Sequence, residues 1–152
     1  YVLQTLRRQG REAALAVQAG AAEMTGTELN AERDYVPDFQ AAKAALNMLK
    51  RQRGFVCRST AGRLVRLSLP YDSDIYPQEP EELDAQWGFV WSTDPAHALP
   101  FVAMATSPYN TGELCSAGGK IWRSLTDNNV HSPESYPQGW EEVTQIDSGT
   151  DL

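Results

Sequence analysis

The chain has 152 residues, a formal net charge of −7 and a hydrophobic fraction of 41%. This length allows one ordinary domain or two small ones, and the mean hydropathy of −0.45 is typical of a globular protein. No apolar run approaches the roughly 18 residues that a membrane-spanning helix requires. Cys57 and Cys115 are too few for a disulfide framework or a zinc site. We therefore expect two free, buried thiols, with a bridge between them as the alternative.

The charge is unevenly placed along the chain. Residues 1–53 carry eight Lys or Arg and six Asp or Glu, a net charge of +2, which leaves −9 for the rest. An acidic surface disfavours nucleic-acid binding there, because phosphate contacts need clustered Lys and Arg. The sequence therefore predicts no nucleic-acid partner.

Residues 1–24 are predicted to form a helix, because apolar residues recur every three to four positions among strong helix formers. Leu3, Leu6, Ala13 and Val17 belong to this apolar stripe. A narrow stripe suits close helix–helix packing better than a broad core. We therefore assign these four residues to an oligomer interface and expect the helix to pack against its own copies or a larger assembly.

Residues 25–53 are predicted to complete a helical arm. Thr27 can cap a short helical turn, and Asp38 is the expected N-cap of a second helix over residues 38–52, which Gly54 ends. An extended lead-in to the first strand is the alternative for this second segment.

A β pattern occurs twice in the remainder of the chain. Each copy has a glycine followed by a cysteine, then a glycine-led strand with a basic residue, and then a proline-containing loop that closes on tryptophan. Such internal duplication predicts architecture before any single residue does. The first copy comprises residues 54–57, 62–66 and Trp87, and the second comprises residues 112–115, 119–123 and Trp140.

Each copy is predicted to form a hairpin followed by a short strand that carries its tryptophan. The hairpins are expected to turn at residues 60–62 and 117–119, which contain glycine. The fold class is therefore α+β, with an N-terminal helical segment followed by two small, three-stranded antiparallel β modules. The expected domains are the helical arm over 1–53, a first module and linker over 54–103, a second module over 104–146 and a flexible tail over 147–152.

Catalytic chemistry finds little support in the sequence. His97 and His131 lie in proline-flanked loops without a serine on a strand-to-helix turn nearby. The acidic run over 79–84 lies in a turn-rich loop, whereas a glycosidase needs carboxylates across a cleft. Residues 72–74 lack the glycine and glutamate of an EF-hand loop. We expect no catalytic residue, no metal site and no cofactor.

Binding by aromatic side chains is the stronger expectation. Trp122 follows Ile121 in a strand, so alternation places the two on opposite faces, and Trp122 points outward if Ile121 faces the core. An exposed ring can stack on a sugar, while polar side chains accept hydroxyl hydrogen bonds. The candidate carbohydrate-binding residues are Trp122, Tyr136, Asn128 and Trp140. Packing of Trp122 on a neighbouring segment or subunit is the alternative.

A resemblance to known families is found in residues 22–27, 91–95, 107–109 and 112–143. The last stretch resembles carbohydrate-binding modules of the chitin-binding class, families 5 and 12. Together the four stretches resemble tail-associated proteins of bacteriophages and prophages that join such a module to a helical N-terminal segment. They are distributed over residues 22–143, an interval that covers most of the chain.

The resemblance implies a short twisted antiparallel sheet in each module, no enzymatic activity and no cofactor. It implies a structural component of a virion tail near the baseplate or tail tip, assembled in the host cytoplasm. The implied partners are other tail or baseplate proteins and further copies of the chain, with a trimer favoured. The alternative function is a glycan-binding module that recognises host cell-surface carbohydrate.

Overall fold

The computed structural model describes residues 2–144, with side-chain environments from residue 9 onward. The chain forms two compact units, Tyr1–Val90 and Trp91–Leu152, which we call unit one and unit two. Within residues 2–144, the α-helices lie in unit one and each unit contains one sheet, so the predicted α+β class is confirmed. The predicted tail over 147–152 lies outside the described residues.

The predicted N-terminal helix is present as α1, Val2–Gly20, and is extended by a 3₁₀ turn. Val17 and Ala21 on its inner face share a hydrophobic cluster with Val56 of the first strand. Gln18 fixes this contact, because its Nε2 donates to the Val56 carbonyl at 2.6 Å and its Oε1 accepts from the Val56 N–H at 3.0 Å. The helix therefore contributes to the core of unit one.

The second helix, α2, covers Gly26–Ala31. Thr27 lies inside this helix, so it cannot be the residue that caps its N-terminus. Thr25 is its N-cap, and a reciprocal pair of hydrogen bonds joins Thr25 and Glu28 at 2.9 and 3.1 Å. The expectation for Thr27 was wrong because a capping box needs Glu or Gln three positions after the cap. Thr25 has Glu28 there, whereas Thr27 has Asn30.

The third helix, α3, covers Phe39–Ala45, and its predicted N-cap is confirmed because the Asp38 carboxylate accepts from the Ala41 N–H at 3.1 Å. The helix ends well before the predicted residue 52. Asn47 explains the early end: its Oδ1 accepts from the Leu49 N–H at 2.9 Å and starts a separate 3₁₀ turn. Asparagine side chains compete in this way with the helical hydrogen-bond ladder.

The sheet of unit one contains three antiparallel strands in the order β1–β2–β3, as predicted. Cys57 lies opposite Val65, and Val65 lies opposite Phe89. All three side chains are buried on one face of the sheet, and Val56 and Leu64 are buried on the other, where they pack with α1, so both faces contribute to the core. The strands are β1 Val56–Arg58, β2 Leu64–Leu67 and β3 Trp87–Phe89.

The sheet of unit two contains four strands in the order β4–β5–β6–β7, and β4 runs parallel to β5. A purely three-stranded antiparallel module was therefore the wrong expectation for this unit. The stretch expected to link the modules supplies β4, and the Phe101 N–H just after it donates to the Ser116 carbonyl at 3.0 Å. The strands are β4 Leu99–Pro100, β5 Leu114–Ala117, β6 Lys120–Ser124 and β7 Trp140–Val143.

The two sheets repeat each other in register. Cys115 lies opposite Trp122 as Cys57 lies opposite Val65. Gly54 and Gly112 both adopt φ of +94°, in the left-handed region that favours glycine. Their N–H groups donate to the equivalent carbonyls of Leu67 and Ser124, at 2.7 and 2.9 Å. Both cysteines are buried and free, as expected.

The duplication extends upstream of the predicted repeat. Arg58 forms a parallel bridge with Asp38, matching the pairing of Ser116 with Pro100 in unit two. The phenylalanine that follows each bridge packs edge-on against the closing tryptophan of its own unit. The ring-centroid distance is 5.8 Å for Phe39 and Trp87, and 6.0 Å for Phe101 and Trp140. Each unit therefore contains a phenylalanine–tryptophan pair in its core.

Candidate functional site

A polar pocket of about 500 Å³ opens on unit two, and the residues that line it all belong to the connection between β6 and β7. Two predicted binding residues, Asn128 and Tyr136, line it together. We call it the Tyr136 pocket. Its lining residues are Thr126, Asp127, Asn128, Asn129, His131, Ser135 and Tyr136.

The turn at Asn128 shapes one wall of the Tyr136 pocket. Asn128 has φ of +56°, a left-handed conformation that asparagine tolerates better than most residues. Its N–H donates to Asn110 Oδ1 at 3.1 Å. The next residue, Asn129, exchanges two backbone hydrogen bonds with Tyr109, at 2.8 and 2.9 Å. The wall is therefore fixed by the backbone, and the exposed Asn128 side chain makes no hydrogen bond to another described residue.

Asn129 is a scaffold for the pocket. Its Nδ2 donates to Ser124 Oγ at 3.1 Å and to the Gly139 carbonyl at 3.2 Å. Its Oδ1 accepts from the His131 N–H at 3.2 Å. Since the side chain is buried and its donors and acceptor are engaged, Asn129 joins β6, β7 and the loop between them.

Trp140 is not among the residues that line the Tyr136 pocket, but it contacts one of them. Its indole is almost fully buried and packs edge-on against Tyr109 at 5.3 Å between centroids. Its Nε1 donates to the His131 carbonyl at 2.8 Å. The contacts of Trp140 therefore position His131, and a direct role in binding sugar stays a prediction.

Tyr136 and His131 form the aromatic side of the pocket. Their ring centroids lie 5.7 Å apart at an interplanar angle of 71°. Tyr136 is 37% exposed, so part of its ring is open to solvent. The ring rests against Gly139, where any Cβ would overlap its Cδ2 and Cε2 atoms. A side chain at position 139 would therefore displace Tyr136 from this position.

Asp127 supplies negative charge at the pocket rim. The Thr111 N–H donates to its carboxylate at 3.0 Å. This bond, followed by one from the Thr111 hydroxyl, holds the pKa of Asp127 below its ordinary value. The carboxylate is therefore charged at neutral pH and accepts hydrogen bonds. The sequence predicts Asn128 and Tyr136 as binding residues but does not indicate that Asp127 and His131 line the same pocket.

Trp122 lies apart from the residues that line the Tyr136 pocket. It lies opposite Cys115 and Glu142, and therefore shares the sheet face of the buried Cys115. Trp122 occupies the same place in the register as the buried Val65, and Ile121 on the other face is also only half-buried. The indole is half-buried, and its Nε1 donates to the Ala117 carbonyl at 3.1 Å. Its sugar-stacking role stays a prediction.

The predicted oligomerisation residues lie on α1. Val17 is 5% exposed and Ala13 is half-buried, while the side chains of Leu3 and Leu6 lie outside the described residues. Val17 therefore has little surface left for contact with another chain. A shallow apolar groove of about 430 Å³ runs beside the helix, and Leu15 on its rim is 69% exposed. The lining residues of this apolar groove are Gly10, Ala14, Leu15, Gln18, Asp34, Tyr35, Val36, Pro37 and Phe55.

The other polar motifs form local structure. His97 Nδ1 lies 3.7 Å from the Asp94 carboxylate, within one 3₁₀ turn. The Asp74 N–H donates to Asp72 Oδ1 at 3.0 Å, and an Asn47 side-chain hydrogen bond lowers the pKa of Asp72. Among residues 2–144, no group of three or more His, Cys, Asp or Glu side chains is placed to hold a metal ion.

Comparison with protein-family models, curated proteins and solved structures found no match to this chain. Of the helices in the described part of the chain, none is long and apolar enough to cross a membrane.

Proposed function

We propose that the protein is a non-enzymatic binding protein whose second unit recognises carbohydrate in the Tyr136 pocket. The observation that carries this proposal is the convergence of a half-exposed tyrosine ring with a carboxylate and with an amide that makes no hydrogen bond to any other residue of 2–144. Sugar rings offer apolar C–H faces for aromatic stacking and hydroxyls for hydrogen bonding. Tyr136, Asp127 and Asn128 present these two chemistries around one opening.

The lining of the pocket supports binding without cleavage. Glycoside hydrolysis uses two carboxyl groups on opposite sides of the scissile bond, about 5 to 9.5 Å apart. Asp127 is the one carboxylate among the described residues that line the Tyr136 pocket. Hydrogen bonds from Thr111 favour its charged form, whereas a general acid requires a raised pKa. Asp127 is suited to accept sugar hydroxyls.

A second candidate function is a structural role in a phage or phage-like tail, near the baseplate or tail tip. The apolar groove beside α1 favours it, because Leu15 and Tyr35 expose large apolar surface in a unit whose core is already formed. Such surface is typical of sites that contact another protein chain. In this proposal unit one docks on tail proteins or on further copies of the chain, a trimer being favoured. Unit two then displays its pocket towards host-surface glycan.

The binding proposal is tested by applying the full chain to a glycan array and measuring the affinity of any hit by titration calorimetry. Tyr136→Ala should weaken binding about tenfold, because an aromatic contact contributes about 1 to 1.5 kcal/mol. Tyr76→Ala is the matched control, because Tyr76 is the counterpart of Tyr136 in the first copy. Both tyrosines precede a proline, and the N–H of each donates to the carbonyl four positions earlier. Failure of the unmodified chain to bind any glycan, or equal losses in both variants, would contradict the proposal.

The structural role is tested by sedimentation of the full chain over a hundredfold concentration range. Leu15→Glu should shift the population towards monomer, because it places a charge in the apolar groove. Ala16→Glu is the matched control, at an exposed position of the same helix that does not line the groove. A concentration-independent monomer before any substitution would remove the homo-oligomer from the proposal.

A further inference from the structure

A second groove, of about 400 Å³, lies in unit one beside the turn that precedes β1. Three cationic residues within four positions, Lys50, Arg51 and Arg53, line it, and none of its lining residues is acidic. This concentration of positive charge stands out in a chain of net charge −7. We call it the basic groove. Its lining residues are Gln18, Ala22, Leu46, Lys50, Arg51, Gln52, Arg53, Gly54 and Phe55.

The Arg51 guanidinium is held in place before any ligand arrives. Its Nη2 donates to the Ala42 carbonyl at 2.8 Å. Its central carbon lies 4.4 Å from the centroid of the Phe55 ring. A guanidinium held in this way loses less side-chain entropy when it binds an anion.

Lys50 and Arg53 leave their charges available at the same opening. Both residues are exposed. The ion pairs found among the described side chains involve other residues and neutralise neither of them, nor Arg51. Three positive charges therefore share one groove without an acidic partner in it.

The duplicated fold shows that these cations are not needed to make the turn. Gly54 and Gly112 are equivalent, with the same φ of +94° and the same hydrogen bond to the following hairpin. The three residues before Gly54 are Arg51, Gln52 and Arg53, whereas those before Gly112 are uncharged. The same backbone forms with neutral residues, so the charge of the first copy calls for another explanation.

We propose that the basic groove binds an oxyanion group, phosphate or sulfate, either as the free ion or carried on a larger molecule. The Arg51 Nη2 binds the Ala42 carbonyl and its Nε is buried, so the Nη1 donors are the ones left for the oxygens of an anion. Lys50 and Arg53 add charge, and the groove has room for more than the anionic group. This site lies in unit one and is independent of the sugar pocket proposed for unit two.

The experiment is a titration of the ¹⁵N-labelled full chain, followed by amide NMR spectra at constant ionic strength. The probes are sodium sulfate, sodium phosphate and sucrose octasulfate, with sucrose as the uncharged control. Saturable shifts confined to residues 50–55 and their neighbours are expected with at least one charged probe, and none with sucrose. Saturation by the simple ions identifies a free-ion site, whereas saturation by sucrose octasulfate alone identifies a site for anionic groups on a larger molecule.

Two double variants separate a defined site from general charge attraction. Lys50→Gln with Arg53→Gln should weaken binding at least fivefold, and both positions are exposed, so the fold should be retained. Arg11→Gln with Lys120→Gln removes the same two charges at exposed positions outside the groove, and affinity should stay within twofold. Equal weakening in the two double variants, or the absence of saturable shifts with every charged probe, would overturn the proposal.

Discussion

The three antiparallel strands of each β unit share their order and register, but the units differ in the loop that leads to the closing tryptophan. Tyr76 stands eleven positions before Trp87, whereas Tyr136 stands four positions before Trp140. In unit two the loop is shorter, the Tyr136 ring packs against Gly139, and the pocket lies beside this ring. Loop length on a common sheet thus decides where a ligand site can form, as expected for functional residues carried on a rigid scaffold.

The longer loop of unit one uses its extra residues for internal contacts. Glu81 accepts hydrogen bonds from Ser59 at 2.8 Å and from Arg63 at 2.9 Å. Glu79 accepts from the Thr60 N–H at 3.0 Å and from its hydroxyl at 2.9 Å. The acidic loop is therefore anchored to the β1–β2 turn. In unit one these carboxylates hold the fold, whereas Asp127 of unit two faces an open pocket.

The largest expected effect is on the tryptophan that closes unit one. Trp87→Ala removes a fully buried indole that packs on Phe39 and Tyr71 and donates to the Tyr71 hydroxyl at 3.0 Å. The free energy of unfolding should fall by about 3 to 5 kcal/mol. Urea denaturation monitored by circular dichroism measures the loss. Leu15→Ala, at an exposed position, should change it by less than about 0.5 kcal/mol, and a similarly small loss for Trp87→Ala would refute the assigned core.

A smaller effect is expected where the two copies differ at the position before the tryptophan. Gly139→Ala places a Cβ against the Tyr136 ring, so it should cost about 1 to 3 kcal/mol of stability and weaken binding in the pocket. The equivalent residue in unit one is Gln86, since its carbonyl accepts from the Ser68 N–H at 2.7 Å, as the Gly139 carbonyl accepts from the Leu125 N–H at 2.8 Å. Gln86→Ala should therefore be nearly neutral. Denaturation of the two variants side by side checks this, and a harmless Gly139→Ala would show that Tyr136 can lie elsewhere.

The smallest effects on stability are expected from substitutions in the ion pairs, which differ in burial between the two units. Arg63 and Glu81 are 2.9 Å apart with side chains 10% and 18% exposed, whereas Arg123 and Glu141 are 3.4 Å apart and exposed. Glu81→Gln should lower the free energy of unfolding by about 1 to 2 kcal/mol, because it weakens charge-assisted bonds with little solvent contact. Glu141→Gln should cost less than about 0.5 kcal/mol. If chemical denaturation gave equal losses of unfolding free energy for Glu81→Gln and Glu141→Gln, the proposed difference between the two units would be contradicted.

Much of the local structure could be predicted from neighbouring residues. The hairpin turns follow from glycines that adopt positive φ, at Gly62 in unit one and at Gly118 and Gly119 in unit two. The N-cap at Asp38 follows from a short acidic side chain before a helical pattern. The early end of α3 could not be predicted in this way, because Asn47 also binds Asp72 and the Ser73 N–H, both about 25 positions away.

The candidate pocket was predictable in part. Tyr136 and Asn128 were named from residue type, and the structure places both at one opening. Asp127 and His131 were missed because their sequence context indicates turns, and only folding brings them beside Tyr136. Trp122 shows the opposite case: alternation places Trp122 and Ile121 on different faces, and the structure leaves both of them half-buried. A pattern of period two fixes two faces without saying which one is buried.

The sequence by itself determined the duplication, the helix at the N-terminus and the hairpins, because these depend on hydrogen bonds and φ angles within a few residues. Tertiary structure alone decided the parallel pairing of Leu99 with Cys115, which spans sixteen positions, and the packing of Phe101 on Trp140. It also decided that α1 joins the core of unit one. These features depend on burying apolar surface between segments distant in the chain, a non-directional force that local patterns do not specify.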